Sequence, residues 1–282
     1  MPMEDRADLA ISPALSAEAA LRLIVVACCA DFDAALLVLR TTDDPAGPHQ
    51  ARVALRRLRS ALAAFAGIID ARVAARLLKK TKALFRLIGT LRDADVLLHE
   101  YSNPKTQARQ QAHAEKMRDK VRASLRSKGA HRHAALLVKL VAGKGWHRGG
   151  RKAKALRRAP VATIAAAALT KVWARCTSHG PDLAAMTVAQ RHDLRKDLKT
   201  LRYQTEFFGP LWPGPAQQHF LDQMRDLQDA LGTLNDISLA EAALERRETL
   251  APSQSLRADL ALTAAARMWQ LLGTLPPWWA TP

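Results

Sequence analysis

Cysteine is scarce in this chain of 282 residues: there are three. Cys28 and Cys29 are adjacent on an apolar helical stretch, and Cys176 stands alone. That count and spacing exclude a disulfide framework and a CxxC metal site, and fit a reducing cytoplasm. Aromatic residues make up 5% of the chain, too few to supply the stacking platforms with which proteins hold single-stranded bases. Long apolar runs are also missing. The longest, Leu23 to Leu39, is broken by Asp31 and Asp33, which excludes a membrane span there. The N-terminus, MPMEDRADLA, is acidic and does not read as a signal peptide. Negative charge is short as well: 26 Asp and Glu stand against 43 Lys and Arg, for a formal net charge of +17. Such a balance favours a polyanionic partner, whether nucleic acid, an anionic membrane surface or a phosphate polymer.

What remains is rich in Ala and Leu and poor in β-branched residues, so the fold should be all-α. With 49% hydrophobic residues the chain can bury a sizeable core. Its most informative feature is a cationic pattern written twice. The first copy is His49, Arg52, Arg56 and Arg59, within HQARVALRRLRSALAAF; the second is His192, Arg195, Lys199 and Arg202, within HDLRKDLKTLRYQTEFF. Positions 49 and 192, 52 and 195, 56 and 199, and 59 and 202 each differ by 143. Gly89-Thr90-Leu91-Arg92-Asp93 and Gly232-Thr233-Leu234-Asn235-Asp236 keep the same register. A repeat of this length implies two copies of a whole helical bundle rather than short solenoid units.

On a helical wheel at about 100° per residue, with His49 at zero, Arg52, Arg56 and Arg59 fall between about 280° and 340°. Leu55, Leu58, Leu62 and Phe65 fall between about 160° and 240°, so one helix carries a cationic face opposite an apolar one. Leu194, Leu198, Leu201 and Phe208 oppose the second row in the same way. Ten residues of helix make each row about 15 Å long. Like charges at i,i+3 and i,i+4 repel by a few tenths of a kcal/mol per pair. Few acids lie nearby to relieve them, and a bound polyanion would.

Helical signals divide the chain into a first bundle at 16–142, a basic Gly-rich linker at 143–159 and a second bundle at 160–273. The expected helices run from a Ser16 N-cap to about Arg40, from Pro48 to Ile69, and from Ala71 to Tyr101 before Asn103-Pro104. One or two basic helices fill 105–142, interrupted near Lys128-Gly129. After GKGWHRGGRKAKALRRAP, which lacks apolar periodicity, Pro160 starts a helix to Cys176. The others run from Thr187 to Phe208, Ala216 to Leu250 and Gln254 to Leu272, with Trp278-Trp279 on an exposed-looking tail. The resulting architecture is two antiparallel four-helix bundles related by a pseudo-two-fold internal repeat.

The third helix adds Lys79, Lys82 and Arg86 on one face, opposite Leu77, Leu84 and Ile88. Their counterparts in the second half are Asp222, Arg225 and Asp229, so the ligand surface should be lopsided toward the first half. Asp93, one turn beyond Gly89, reads as a residue that orients an Arg or caps, not as a catalytic group.

The segments HxxRVxxRRLRSxLxxF at 49–65, IGTLRDADV at 88–96 and HDLRKDLKTLRY at 192–203 resemble the CHAD family of histidine-containing α-helical domains. The resemblance covers about residues 16–273. It implies two four-helix bundles, a basic surface between them that binds inorganic polyphosphate without catalysis, and recruitment to polyphosphate granules in the cytoplasm. Carried onto this chain, the binding residues of the first half are His49, Arg52, Arg56, Arg57, Arg59, Lys79, Lys82 and Arg86. Those of the second are His192, Arg195, Lys196, Lys199, Arg202 and Arg225. No cofactor and no metal are expected; other polyanions should compete at low salt.

Two alternatives remain open. A nucleic-acid binder would use the same charge, although only Tyr203 is an aromatic close to a cationic row. An enzyme on phosphoanhydrides would need a nucleophile or metal site. The sequence has no Walker loop and no HExxH, and His131-x-His133 lies in a basic stretch without nearby carboxylates. His99, His113, His147, His179 and His219 are scattered and read as surface residues.

Overall fold

A computed structural model describes residues 10–98, 104–126, 129–242 and 252–280. Among them are ten α-helices and no strands. The helices are α1 (Ala17–Thr41), α2 (Ala46–Ala64), α3 (Ala71–Leu97), α4 (Pro104–Arg126), α5 (Gly129–Ala142), α6 (Arg151–Arg158), α7 (Val161–Thr177), α8 (Val188–Phe208), α9 (Pro215–Ala242) and α10 (Pro252–Thr274). The expected limits at Tyr101, Asn103, Lys128 and Leu250, and the residue His99, lie outside the described residues.

Local chemistry sets several of these boundaries. The Ser16 hydroxyl accepts from the Ala19 amide at 3.2 Å, and the Asp70 carboxylate accepts from Arg72 and Val73 at 3.0 and 3.1 Å. Each satisfies donors that an N-terminal turn leaves unpaired. Thr187 and Gln190 cap α8 reciprocally. Gly47 lets α2 fold back on α1, since a Cβ there would lie 2.8 Å from the Leu39 amide nitrogen.

The apolar faces read from the wheel are the ones that pack. Leu55, Leu58, Leu62 and Phe65 on α2, and Leu194, Leu198, Leu201 and Phe208 on α8, are all buried. They belong to one hydrophobic cluster that runs through both halves. α2 packs directly on α8, and the Phe65 and Phe208 rings lie 5.8 Å apart. The two cationic helices therefore lie side by side, with Arg57 of α2 paired to Glu206 of α8 and both leucine faces in the core.

Two expectations need correction. Residues 143–159 are not a plain linker. Trp146 is buried, and its carbonyl accepts from the Asp70 amide at 2.8 Å, while the Arg148 amide donates to the Ile68 carbonyl at 2.9 Å. α6 then packs on α1, with Ala153 buried and Arg151, Lys152 and Lys154 exposed. A short run of basic residues hides one buried Trp and one small apolar face, which is why periodicity missed it. The tail is not exposed either. Trp278 and Trp279 are buried, ring against ring at 5.3 Å, and the Trp279 indole donates to the Thr170 hydroxyl on α7 at 3.1 Å.

Candidate functional site

α2 and α8 pack side by side with their leucine faces in the core, and their cationic faces open together onto one cleft, walled further by α3 and α9. Its volume is about 480 Å³. Six residues expected from the repeat line it: His49, Arg52 and Arg56 from α2, and Arg195, Lys199 and Arg202 from α8. Arg59 stands beside it, its guanidinium 5.8 Å from the Phe85 ring centroid.

The other expected residues lie elsewhere. Arg57 is the clearest correction. Its side chain is 6% exposed and pairs with Glu206 of α8, with its guanidinium carbon 4.9 Å from the Phe207 ring. At about 80° on the wheel it points off the cationic face into the junction of the halves, so its charge is neutralised before any ligand arrives. Lys79, Lys82 and Arg86 are exposed on α3 but do not line the cleft. Lys196 pairs with Asp193, and Arg225 with Asp222 at 3.0 Å. His192 is adjacent to the cleft, its Nδ1 3.2 Å from the Asn235 Oδ1.

Some lining residues escaped the repeat argument. Arg92 lines the wall near His49, at the position Asn235 holds against His192. The signal was present, since 92 and 235 lie in register, but it read as a lapse in the repeat rather than as a ligand group. Asp93 and Asp236 also reach the cleft, as do Glu206 and Asp229. Asp93 lies 3.9 Å from Arg52, which matches the orienting role expected of it. Gly89 makes that placement possible: a Cβ there would overlap the Arg52 guanidinium.

The crowding of like charge is visible in the proton affinities. Lys199 is pushed down to about 6, first by burial and then by Arg56, Arg195 and Arg52, with Asp236 only partly offsetting them. His49 is held down to about 4 by its enclosure among the cleft walls and by Arg92, Lys199, Arg56 and Arg52. At neutral pH it is an uncharged hydrogen-bonding group. Burial and neighbouring cations also lower Arg52 and Arg195. Burial raises the Asp93 carboxyl by more than Arg52 and Arg92 lower it, and Asp236 adds to the rise. The cleft thus disfavours its own positive charge, and an anion in it would favour that charge.

Of the scattered histidines, His147 and His179 are less superficial than expected, and His133, which was not among them, is buried. His133 is buried against the Thr81 hydroxyl at 3.1 Å, His147 pairs with Glu18 at 3.1 Å, and His179 pairs with Asp197 at 3.2 Å. No group of three or more His, Cys, Asp or Glu among the described residues is arranged to hold a metal ion. No helix there is long and apolar enough to cross a membrane.

A sequence model of the CHAD domain matches residues 24–245. The crystal structure of the CHAD domain from the plant Ricinus communis aligns with a TM-score of 0.72 at 23% identity, over 96% of this chain and 91% of that one. PptA from Streptomyces chartreusis aligns with a TM-score of 0.59 at 19% identity, over 91% of this chain and 100% of that one. At these identities the likeness shows the fold. No curated protein matches the chain.

Proposed function

Because the chain belongs to the CHAD domain family, we propose that it binds inorganic polyphosphate in the cleft between α2 and α8, without turning it over. Bound polymer would recruit the protein to polyphosphate granules in the cytoplasm. The observation that carries this reading is the meeting of both cationic rows on one cleft whose central lysine is depressed to about 6. Polyphosphate supplies what that arrangement lacks: closely repeated negative charge and acceptor oxygens, with no base to be read. Arg offers forked hydrogen bonds to phosphate, and Lys a mobile point charge. Nucleic acid would bring the same charge at wider spacing, and the cleft's aromatic, Tyr203, is buried rather than offered as a platform.

The test is binding of long-chain polyphosphate to the purified chain and to a variant carrying Arg52→Glu, Arg56→Glu, Arg195→Glu and Lys199→Glu. Binding should fall by more than about hundredfold, and the slope of log affinity against log salt by about 3, at roughly 0.7 per lost contact. Helicity by circular dichroism should be unchanged. Wild-type affinity in the variant would place the ligand elsewhere. Competition by RNA or DNA at equal phosphate concentration would reduce the site to a general polyanion surface. Release of orthophosphate by the wild-type chain with Mg²⁺ present would overturn the non-catalytic reading, for which Asp93 and Asp236 would be the first residues to examine.

A further inference from the structure

The first cationic row leans on a single aromatic ring. Phe85 of α3 has its ring centroid 4.3 Å from the Arg52 guanidinium carbon, 5.2 Å from that of Arg56 and 5.8 Å from that of Arg59. One turn further along α3, Gly89 leaves the space that Arg52 occupies. α3 therefore carries a flat apolar face and a notch, and three mutually repelling guanidinium groups gather on them.

The means of holding matters. A carboxylate would fix a guanidinium by consuming its N–H donors and cancelling its charge. A ring attracts it through the π face without taking up its N–H donors, and the Asp93 carboxylate beside Arg52 is 3.9 Å away, beyond hydrogen-bond reach. The second half takes the other course. Its residue in register with Phe85 is Gln228, whose amide donates to the Leu198 carbonyl at 2.9 Å and accepts from Arg202 at 3.4 Å. Glu206 accepts from the Arg202 Nε at 2.8 Å, where the first half has Ala63 in register. Arg202 is thus held by groups that use its donors, while its counterpart Arg59 is not.

We infer that Phe85 is a positioning residue that presents Arg52, Arg56 and Arg59 as one preordered guanidinium array, making the α2–α3 wall the tighter phosphate subsite of the cleft. This rests on the polyphosphate reading above. A phosphate chain meeting the array need not order three long side chains one by one, and each such ordering weakens binding. The ring itself touches no phosphate.

The test uses the full chain with Phe85→Leu, Phe85→Tyr and, as a reference, the pair Arg52→Ala with Arg56→Ala. Each is titrated with polyphosphate of defined length at several salt concentrations, alongside thermal unfolding. Phe85→Leu keeps an apolar side chain against α2 but removes the π face, and should weaken binding roughly tenfold. Phe85→Tyr keeps the face and should stay within about twofold of wild type. Should Phe85→Leu fail to fold, Phe85→Met fills the space with a flexible apolar chain and carries the same expectation. Wild-type affinity in Phe85→Leu together with loss in the Arg pair would overturn the positioning role and leave the cleft reading intact. Equal loss in Phe85→Tyr and Phe85→Leu, at unchanged unfolding temperature, would also overturn it. No loss in the Arg pair would instead remove the cleft reading itself.

Discussion

The two walls of the cleft carry residues in register in the sequence, and they differ in what surrounds their cations. The first wall contributes Arg52, Arg56 and Arg92 against one acid, Asp93. The second contributes Arg195, Lys199 and Arg202 against three, Glu206, Asp229 and Asp236. The residues that change the balance are in register: Arg92 against Asn235, Arg86 against Asp229, Ala63 against Glu206, and Phe85 against Gln228. The leucine faces recur because both pack into one core, whereas the polar faces carry no such packing constraint and differ. A motif repeated in the sequence therefore leaves the charge balance of each wall to the neighbours of the motif.

The most direct way to break this comparison is to remove equal charge from each wall. Arg52→Ala with Arg56→Ala should weaken polyphosphate binding by roughly hundredfold, at about 1–3 kcal/mol for each charged hydrogen-bonding group lost. Arg195→Ala with Arg202→Ala should cost nearer tenfold, because Arg202 already spends donors on Glu206 and Gln228. Titration of both double variants at one ionic strength decides it. Equal losses would make the cleft functionally symmetric despite its unequal acids.

A smaller effect sharpens the role of the second wall. Lys199, at about 6 in the free protein, faces Arg52, Arg56 and His49 from α2, Arg195 on its own helix, and Asp236 from α9. Its ordinary value is 10.5, so between pH 6 and 10.5 the unfolded chain holds a proton there that the folded protein does not. The free protein should gain stability as pH rises through that window. A polyanion in the cleft raises Lys199 again. Binding near pH 7.5 should take up about one proton, and affinity should strengthen by up to about tenfold per unit as pH falls toward 6, then level off. Calorimetry in two buffers of different ionisation enthalpy measures the uptake. Lys199→Met should abolish it, and its persistence in that variant would assign the proton to another group.

How much of this was legible beforehand follows from the same physics. The all-α class, the cap at Ser16 and the burial of both leucine faces were readable because they depend on local spacing. The register repeated over 143 residues singled out His49, Arg52, Arg56, Arg195, Lys199 and Arg202, and their shared surface came from what the CHAD resemblance implied. Arg57 was misplaced because adjacency to the motif outweighed its angle on the wheel. Phe85 was missed because an aromatic on an amphipathic helix reads as core, and only the crossing of α2 over α3 turns its face toward the guanidinium groups. The fate of Trp146, Trp278 and Trp279 depended on surfaces contributed by distant helices, which no local pattern records.

The smallest expected effect separates scaffold from site at single-atom resolution. Gly89 and Gly232 stand in register, each where its helix passes the first Arg of a row. Ala is a better helix former than Gly by about 1 kcal/mol, so either substitution should favour its helix. At Gly232 the added methyl would come no nearer than 3.8 Å to the Arg195 Nη2, an ordinary contact. Gly232→Ala should therefore raise stability by roughly 0.5–1 kcal/mol in urea unfolding and leave binding within about twofold. At Gly89 the methyl would take the space of the Arg52 guanidinium, which is the end of a flexible side chain and can swing aside. Gly89→Ala should then leave stability level or slightly higher while weakening polyphosphate binding by roughly fivefold, the ordering of about one Arg side chain. Stability gained with affinity lost at position 89 alone would show that this glycine serves the cationic row and not the helix. Identical behaviour of the two variants would mean that Arg52 needs no notch, and that the difference between the walls lies in their acids alone.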